Sequence, residues 1–214
     1  MNRFFVQLEY DGTKYHGFQK QPKTTKTIQH HLDKALAKVA NHKISTVCCG
    51  RTDAGVHALN QFIHFDTSSL RKIDSWIKGV NVNLPDDIVV KNFYKVDKNY
   101  HARFDATSRE YLYVIKNANI PPAIGFNNCL WIRQTLNIEK MNKAAQHLLG
   151  EKDFSAFRAS GCQSKSPVRE IVKTKFVSKG EYLYFFIKGN AFMLNMVRII
   201  TVSYTHLTLP TSIQ

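Results

Sequence analysis

The sequence has few cysteines, and their arrangement argues against both disulfide scaffolds and metal sites. Four cysteines occur in 214 residues, and only Cys48 and Cys49 lie close together. No Cys-x-x-Cys pair is present, and the nine histidines show no zinc-ligand spacing beside the cysteines. The pattern therefore predicts reduced thiols and no metal.

Long apolar runs are also missing, although 43% of the residues are hydrophobic. No window approaches the ~18 consecutive apolar residues of a transmembrane helix. Residues 1–10 alternate and soon become charged, so they lack the apolar segment and cleavage site of a signal peptide. These features predict a cytoplasmic protein with a substantial core and no membrane partner.

Nucleotide-binding and common hydrolase motifs are absent as well. The sequence has no P-loop, no G-x-G-x-x-G, no H-E-x-x-H and no G-x-S-x-G. It also lacks the His-x-Glu and Pro-Cys-x-x-Cys pair of zinc base deaminases. We therefore expect no cofactor.

Acidic residues are scarce relative to basic ones. The chain has 30 Lys and Arg against 16 Asp and Glu, which gives a formal charge of +14. The excess occurs both before and after residue 100, so it is not a basic tail. A basic folded body favours a long polyanion such as RNA as the partner, although a merely basic surface is an open alternative.

Hydrophobic periodicity in the first half predicts the order β-α-β-β-α-β of a ferredoxin-like unit. The central two strands would carry a glycine-framed loop between them. The predicted strands are 3–10, 44–49, 61–66 and 88–96, and the predicted helices are 28–39 and 70–77.

The second half begins in the same way but lacks a final strand. Its predicted strands are 106–116, 171–177 and 182–188, and its predicted helices are 138–149 and 192–200. The chain is thus expected to be α+β, with ferredoxin-like halves at 1–100 and 101–200, a boundary near 97–103 and a cleft between the halves. Residues 201–214 are rich in Thr and Ser, have no helical period and are predicted to be a non-native tail.

The nine residues Gly50–Ala58 carry the strongest chemical signal. They place Asp53 beside Arg51 and His57 in a loop framed by glycines. A carboxylate can act as a general base or a nucleophile, and a nearby cation keeps it ionised. Asp-Ala-Gly is also ordinary turn chemistry, so a purely structural turn is the alternative.

Two further residues are candidates for the same site. Tyr111 lies on a predicted strand and can stack on a base, but a core tyrosine fits the spacing equally well. Arg198 interrupts a largely apolar helix, which predicts a carboxylate partner such as Asp53. The alternative is an arginine that reaches the surface.

The segment from Asp153 to Arg169 mixes cations with small polar residues. Arg158, Lys165 and Arg169 could hold RNA phosphates there, whereas a solvated loop is the alternative.

Taken together, these motifs resemble the tRNA pseudouridine synthase A family. The resemblance extends from about Phe4 to Ile200, after which the sequence departs from the family pattern as a truncated or aberrant C-terminus would. The motifs that carry it, in family order, are Tyr10–Thr13 with Tyr15–Gln19, Gly50–Ala58, Phe104–Thr107 with Arg109 and Tyr111, Asp153–Arg169, and Gly189 with Phe192, Met196, Val197 and Arg198.

The resemblance implies a specific activity and fold. Asp53 would be the catalytic nucleophile that converts uridine to pseudouridine at positions 38 to 40 of the tRNA anticodon stem-loop. Arg198 would pair with Asp53, Arg51 would help to flip the base out, and Tyr111 would pack on it. The fold would be two ferredoxin-like halves in a pseudo-symmetric, largely antiparallel sheet, with helices on one face and a basic cleft. A homodimer without cofactor or metal is implied.

Two other functions are kept as alternatives. A catalytically silent RNA-binding protein or chaperone on the same fold would not need Asp53. A nucleoside or glycoside hydrolase would favour a second acid close to Asp53, and none stands out in the sequence. His57, Arg158, Lys165 and Arg169 complete the predicted substrate-binding residues.

Overall fold

The computed structural model describes residues 1–206 and divides into two compact units after Ala106. The boundary lies slightly later than the predicted 97–103. The connecting residues belong to the first unit because Arg3 holds their backbone: its Nη1 donates to the carbonyl oxygen of Tyr100 at 2.9 Å. None of the helices within residues 1–206 has the length and apolar character needed to cross a bilayer.

The first unit has the predicted β-α-β-β-α-β order. Its strands pair antiparallel in the order β2-β3-β1-β4, which is the arrangement of a ferredoxin-like sheet. The elements are β1 (Asn2–Tyr10), α1 (Ile28–Ala40), β2 (Val47–Cys48), β3 (Ala58–Thr67), α2 (Ile73–Asn81) and β4 (Ile88–Val96).

Helix α1 is defined at both ends by its sequence. The Thr27 hydroxyl accepts a hydrogen bond from the His30 N–H at 3.3 Å, as an N-cap does. Asn41 ends the helix in the left-handed conformation with φ 59°. Between these caps, apolar residues at helical spacing bury one face against the sheet.

An aromatic cluster joins helix α2 and the edge strand β4 to the central strands β1 and β3. Phe4 of β1, Phe65 of β3, Trp76 of α2 and Phe93 of β4 are buried, with ring centroids 5.6 to 6.2 Å apart. Strand β2 then pairs with β3 through Val47 and His64. The core and this pairing therefore fix the end of β2 and the start of β3, which the Gly50–Ala58 loop connects.

A buried carboxylate ties α1 to the segment before β2. Asp33 is 4% exposed and accepts hydrogen bonds from the Thr46 hydroxyl at 2.6 Å and the Thr46 N–H at 3.2 Å. The ammonium of Lys20 lies 2.6 Å from the other carboxylate oxygen. The charge of Asp33 is thus balanced by one cation and by two donors of a buried threonine.

We expect the substitution Asp33→Ala to lower the free energy of unfolding by about 3 kcal/mol, because it leaves the buried donors of Thr46 unpaired. Urea unfolding followed by circular dichroism measures this. The matched control is Glu9→Ala, which removes an exposed pair with Lys91 at 2.9 Å and should cost less than about 1 kcal/mol. Equal losses in the two variants would contradict the expectation.

The second unit contains the predicted elements together with two strands that the sequence did not indicate. Its sheet has the order β6-β5-β9-β8-β7, in which only β5 and β6 are parallel. Strands β6 and β7 are the additions. The elements are β5 (Arg109–Asn117), β6 (Leu130–Ile132), α3 (Ile138–Gln146), β7 (Gly150–Asp153), β8 (Val168–Lys179), β9 (Tyr182–Gly189) and α4 (Met196–His206).

The α+β fold class is confirmed, but the strands form two sheets where one was expected. The ladder hydrogen bonds of each sheet join only strands of its own unit. Helix α4 also continues to His206, past the predicted end at Ile200. The prediction of a non-native tail from residue 201 stays a prediction, and residues 207–214 lie outside the described range.

Candidate active site

Asp53 opens a tight turn in the loop between β2 and β3. The Val56 N–H donates to the Asp53 carbonyl oxygen at 3.2 Å, and Gly55 adopts φ 76°. A positive φ at the third residue is what a type II turn requires and what glycine supplies without steric cost. The turn interpretation of Asp-Ala-Gly is therefore correct for the backbone, and the Asp53 side chain is half-buried.

The segment after β1 clamps this loop through its backbone. The Phe18 N–H donates to the Thr52 carbonyl oxygen at 3.0 Å, and the Gly55 N–H donates to the Tyr15 carbonyl oxygen at 3.2 Å. The hydroxyls of Tyr10 and Thr52 are hydrogen-bonded at 2.8 Å. These hydrogen bonds therefore fix the positions of the residues on both sides of Asp53.

Two glycines allow this clamp, the segment after β1, to approach the Gly50–Ala58 loop so closely. A Cβ atom on Gly12 would lie 2.1 Å from the Val56 carbonyl oxygen. Gly17 has φ 91°, and a Cβ there would lie 2.8 Å from the Thr52 carbonyl oxygen. Sequence reasoning did not assign these glycines to the site. The available signal was their occurrence in one polar segment between a strand and a helix.

His57 joins the clamp to the end of the loop. Its Nδ1 lies 3.0 Å from Asp11 Oδ1 and 3.2 Å from the Gly12 N–H, so it donates to the carboxylate when protonated and accepts from the amide when not. Hydrogen bonds from Thr13, aided by the charge of His57, hold the pKa of Asp11 below its usual range. The structure therefore gives His57 a positioning contact; its predicted role in binding substrate stays a prediction.

Arg51 projects from the start of the loop and is exposed. Burial raises the pKa of the Cys48 thiol to about 11, against the opposing charges of Arg51 and Arg103. Both guanidinium groups therefore lie within electrostatic reach of the strand that leads into the loop. An exposed cation at this position is suited to contact a phosphate.

In the second unit, Tyr111 lies on β5 opposite Ile187 of β9 and is half-buried. Its ring meets that of Phe192 edge to face, with centroids 5.0 Å apart. This contact orients the phenol ring while leaving part of it accessible. Tyr111 thus has both a core-like contact and the partial exposure that stacking requires.

Arg198 is exposed on α4, so its place in an apolar helix does not demand a buried carboxylate partner. The reason is helical spacing: two positions from both Met196 and Ile200, it falls on the side opposite these buried residues. Burial raises the pKa of Tyr113, and the charge of Arg198 acts against that rise. The pairing of Arg198 with Asp53 stays a prediction.

Two of the three predicted phosphate ligands brace their own loop. Arg158 Nη2 donates to the carbonyl oxygens of Cys162 at 3.0 Å and Ser164 at 2.7 Å. Arg169 Nη2 donates to the Ser164 hydroxyl. Lys165 is exposed between them. The loop is therefore a structured one, and the predicted roles of Arg158, Lys165 and Arg169 in binding substrate stay predictions.

The predicted site residues fall into two groups. The first unit brings together Asp53, Arg51 and His57 on one clamped loop, and the second unit carries the other five. Within residues 1–206, no three or more His, Cys, Asp or Glu side chains form a group that could hold a metal ion.

Comparison with known proteins gives consistent matches. A family model described as "tRNA pseudouridine synthase" matches residues 7–105 and 144–209. The chain is 48% identical over 201 residues to the tRNA pseudouridine synthase A of Shewanella woodyi, covering 94% of this chain and 77% of that protein. The protein of the same name from Francisella philomiragia is 43% identical over 198 residues, covering 92% and 76%.

Proposed function

The chain belongs to the tRNA pseudouridine synthase family, and we propose that Asp53 is the nucleophile with which it isomerises uridine in tRNA. The observation that carries this proposal is the clamped turn. Asp53 sits at its first position, held by backbone hydrogen bonds to Thr52 and Gly55 on either side. Such backbone support fixes the position of the residue that carries the proposed nucleophile.

The reaction suits this arrangement because it rearranges atoms without net oxidation. The bond from C1′ of the ribose to N1 of uracil breaks, the uracil turns, and a bond from C1′ to C5 forms. C5 then loses its proton and N1 gains one, so the product is an isomer of uridine. A carboxylate can carry the intermediate covalently through either the sugar or the base, so that the detached fragment is retained. The target base must first leave its stack, which costs a few kcal/mol.

Other predicted residues have roles that follow from their positions. We propose that Arg51 stabilises the flipped nucleotide from the exposed side of the loop and that Tyr111 packs on its base. Arg198 would pair with Asp53, and Lys165 would contact the RNA backbone. Each of these roles calls for an exposed or half-buried side chain, as these four are.

The proposed target is the anticodon stem-loop at positions 38 to 40, and the proposed assembly is a homodimer. The formal charge of +14 supports a long RNA contact, since each phosphate neutralised by Lys or Arg releases condensed counterions. Light scattering of the purified chain tests the assembly directly.

The activity is tested with tRNA transcripts that carry tritium at C5 of uracil, because isomerisation releases that label. We expect release from a transcript with uridine at positions 38 to 40 and none when these are replaced by cytidine. Binding of both transcripts without release from either would favour the alternative of a non-catalytic RNA-binding protein. Release that persists after the replacement would contradict the proposed target.

A further inference from the structure

Phe104 is a large aromatic side chain that the fold leaves in solvent. Its exposed fraction is 75%, in a unit whose other phenylalanines include the buried Phe4, Phe65 and Phe93. A single exposed apolar residue needs no explanation by itself. Phe104 differs because the residues around it hold its ring in a fixed setting.

A neighbouring histidine supports the ring from one side. The rings of His101 and Phe104 are stacked, with centroids 4.2 Å apart and planes inclined by 24°. His101 Nδ1 accepts hydrogen bonds from the Arg103 and Phe104 N–H groups, each at 3.2 Å. The Asp105 carboxylate accepts one from the His101 N–H at 2.6 Å. The turn therefore orders both rings before any partner binds.

The turn formed by residues 101–105 is itself anchored to the sheet of the first unit. His64 of β3 is 4% exposed and accepts a hydrogen bond from the Ala102 N–H at 3.1 Å. Its ring contacts that of His101 edge to face, with centroids 4.6 Å apart. Burial, together with the charges of Arg3 and His101, lowers the pKa of His64 to about 4. His64 is thus a neutral, fixed support at physiological pH.

One cation, Arg103, lies close to this aromatic stack. Arg103 is exposed, and its Cζ lies 5.8 Å from the centroid of the Phe104 ring. Arg103 also shares with Arg51 an electrostatic influence on Cys48, the last residue of β2 before the catalytic loop. An aromatic ring with a cation close to it matches the chemistry of an unpaired nucleotide, which offers a base to stack and a phosphate to pair.

We propose that Phe104, supported by His101, is a stacking platform for an unpaired base of the tRNA substrate other than the uridine that reacts. The proposal rests on the proposed function for the identity of the ligand, but it concerns a separate contact. Stacking gives affinity with little dependence on salt, whereas Arg103 gives affinity through a phosphate. The two contributions are therefore separable by experiment.

The test measures the dissociation constant of unmodified tRNA transcript by filter binding over a range of salt concentrations. Phe104→Ala should weaken binding about tenfold and leave the salt slope unchanged, since one stacked base is lost. Phe104→Trp should restore binding. Arg103→Gln should reduce the magnitude of the slope by about one. The matched control is Phe126→Ala, which removes another exposed phenylalanine, 59% exposed, and should have no effect.

Several results would overturn the platform. Unchanged affinity in Phe104→Ala would do so, as would a loss that Phe104→Trp does not restore. Conversion of a dimer to a monomer by Phe104→Ala, seen by light scattering, would instead assign Phe104 to a protein interface. Tritium release by the unmodified chain separates the two proposals: its absence contradicts the proposed function, whereas release combined with unchanged affinity of the variant contradicts only the platform.

Discussion

The substitution Asp53→Asn is expected to lower tritium release from labelled tRNA by at least about 10³-fold, because an amide cannot act as the nucleophile. Asparagine is nearly isosteric with aspartate, and the turn is held by backbone atoms of Thr52, Asp53 and Gly55. The fold and the affinity for tRNA should therefore survive. Single-turnover release measures the first quantity, and filter binding measures the second.

The matched control for this substitution is Asp86→Asn, which makes the same chemical change at an exposed acid outside the loop. It should retain full release. If Asp53→Asn kept more than about a tenth of the activity, the nucleophile would have to be another group. If it lost binding and release together, Asp53 would be a binding residue and not the nucleophile.

The second large effect is expected from Gly12→Ala, although Gly12 carries no chemistry. Its new Cβ would lie 2.1 Å from the Val56 carbonyl oxygen, and real Cβ contacts essentially never fall below 3.0 Å. Relief of the clash displaces the loop by about 1 Å, and a misplacement of that size costs on the order of 10² in rate. We expect kcat to fall by about that factor while the affinity for tRNA changes little.

Gly180→Ala is the matched control for the glycine prediction. Gly180 lies in the turn between β8 and β9 with φ 59°, and a Cβ there meets nothing within 4 Å. It should cost roughly 1 kcal/mol of stability through the left-handed backbone alone. Thermal melting and kcat of both variants then separate the two effects. A normal kcat in Gly12→Ala would show that the loop tolerates displacement.

Much of the first unit could be predicted because its amphipathic pattern and its fold agree. Strand β1 alternates and α1 has helical spacing, so burial on one face selects each structure. The location of Asp53 between two strands followed from the same pattern. This is why a loop of nine residues could be placed correctly before its geometry was known.

The features that were missed lack such a pattern. Strand β7 reads Gly-Glu-Lys-Asp and is exposed throughout, so only its ladder with β8 defines it. Strand β6 has three residues, too few to show a period. The hydrogen bonds that Arg158 and Arg169 make within their loop depend on which carbonyl and hydroxyl groups the loop presents, and residue type does not reveal this.

The glycine clamp was hidden for a different reason. Gly12 and Gly17 contact backbone atoms of Val56 and Thr52, which lie about forty residues further along the chain. Such contacts leave no periodicity in the sequence. A glycine indicates that there is no room for a side chain, but it does not indicate which residue lies close to it. The contacts depend on the antiparallel pairing of β1 with β3, which brings the two segments close together.

The clamp also determines how the Gly50–Ala58 loop can open. The amide protons of Phe18 and Gly55 are each bonded to a carbonyl oxygen on the opposite segment, so neither segment can leave without releasing both. The two segments therefore form one cooperative unit of local unfolding, and their amide protons should exchange with solvent deuterium at a common rate. Opening of the loop therefore displaces Asp53 together with the segment between β1 and α1.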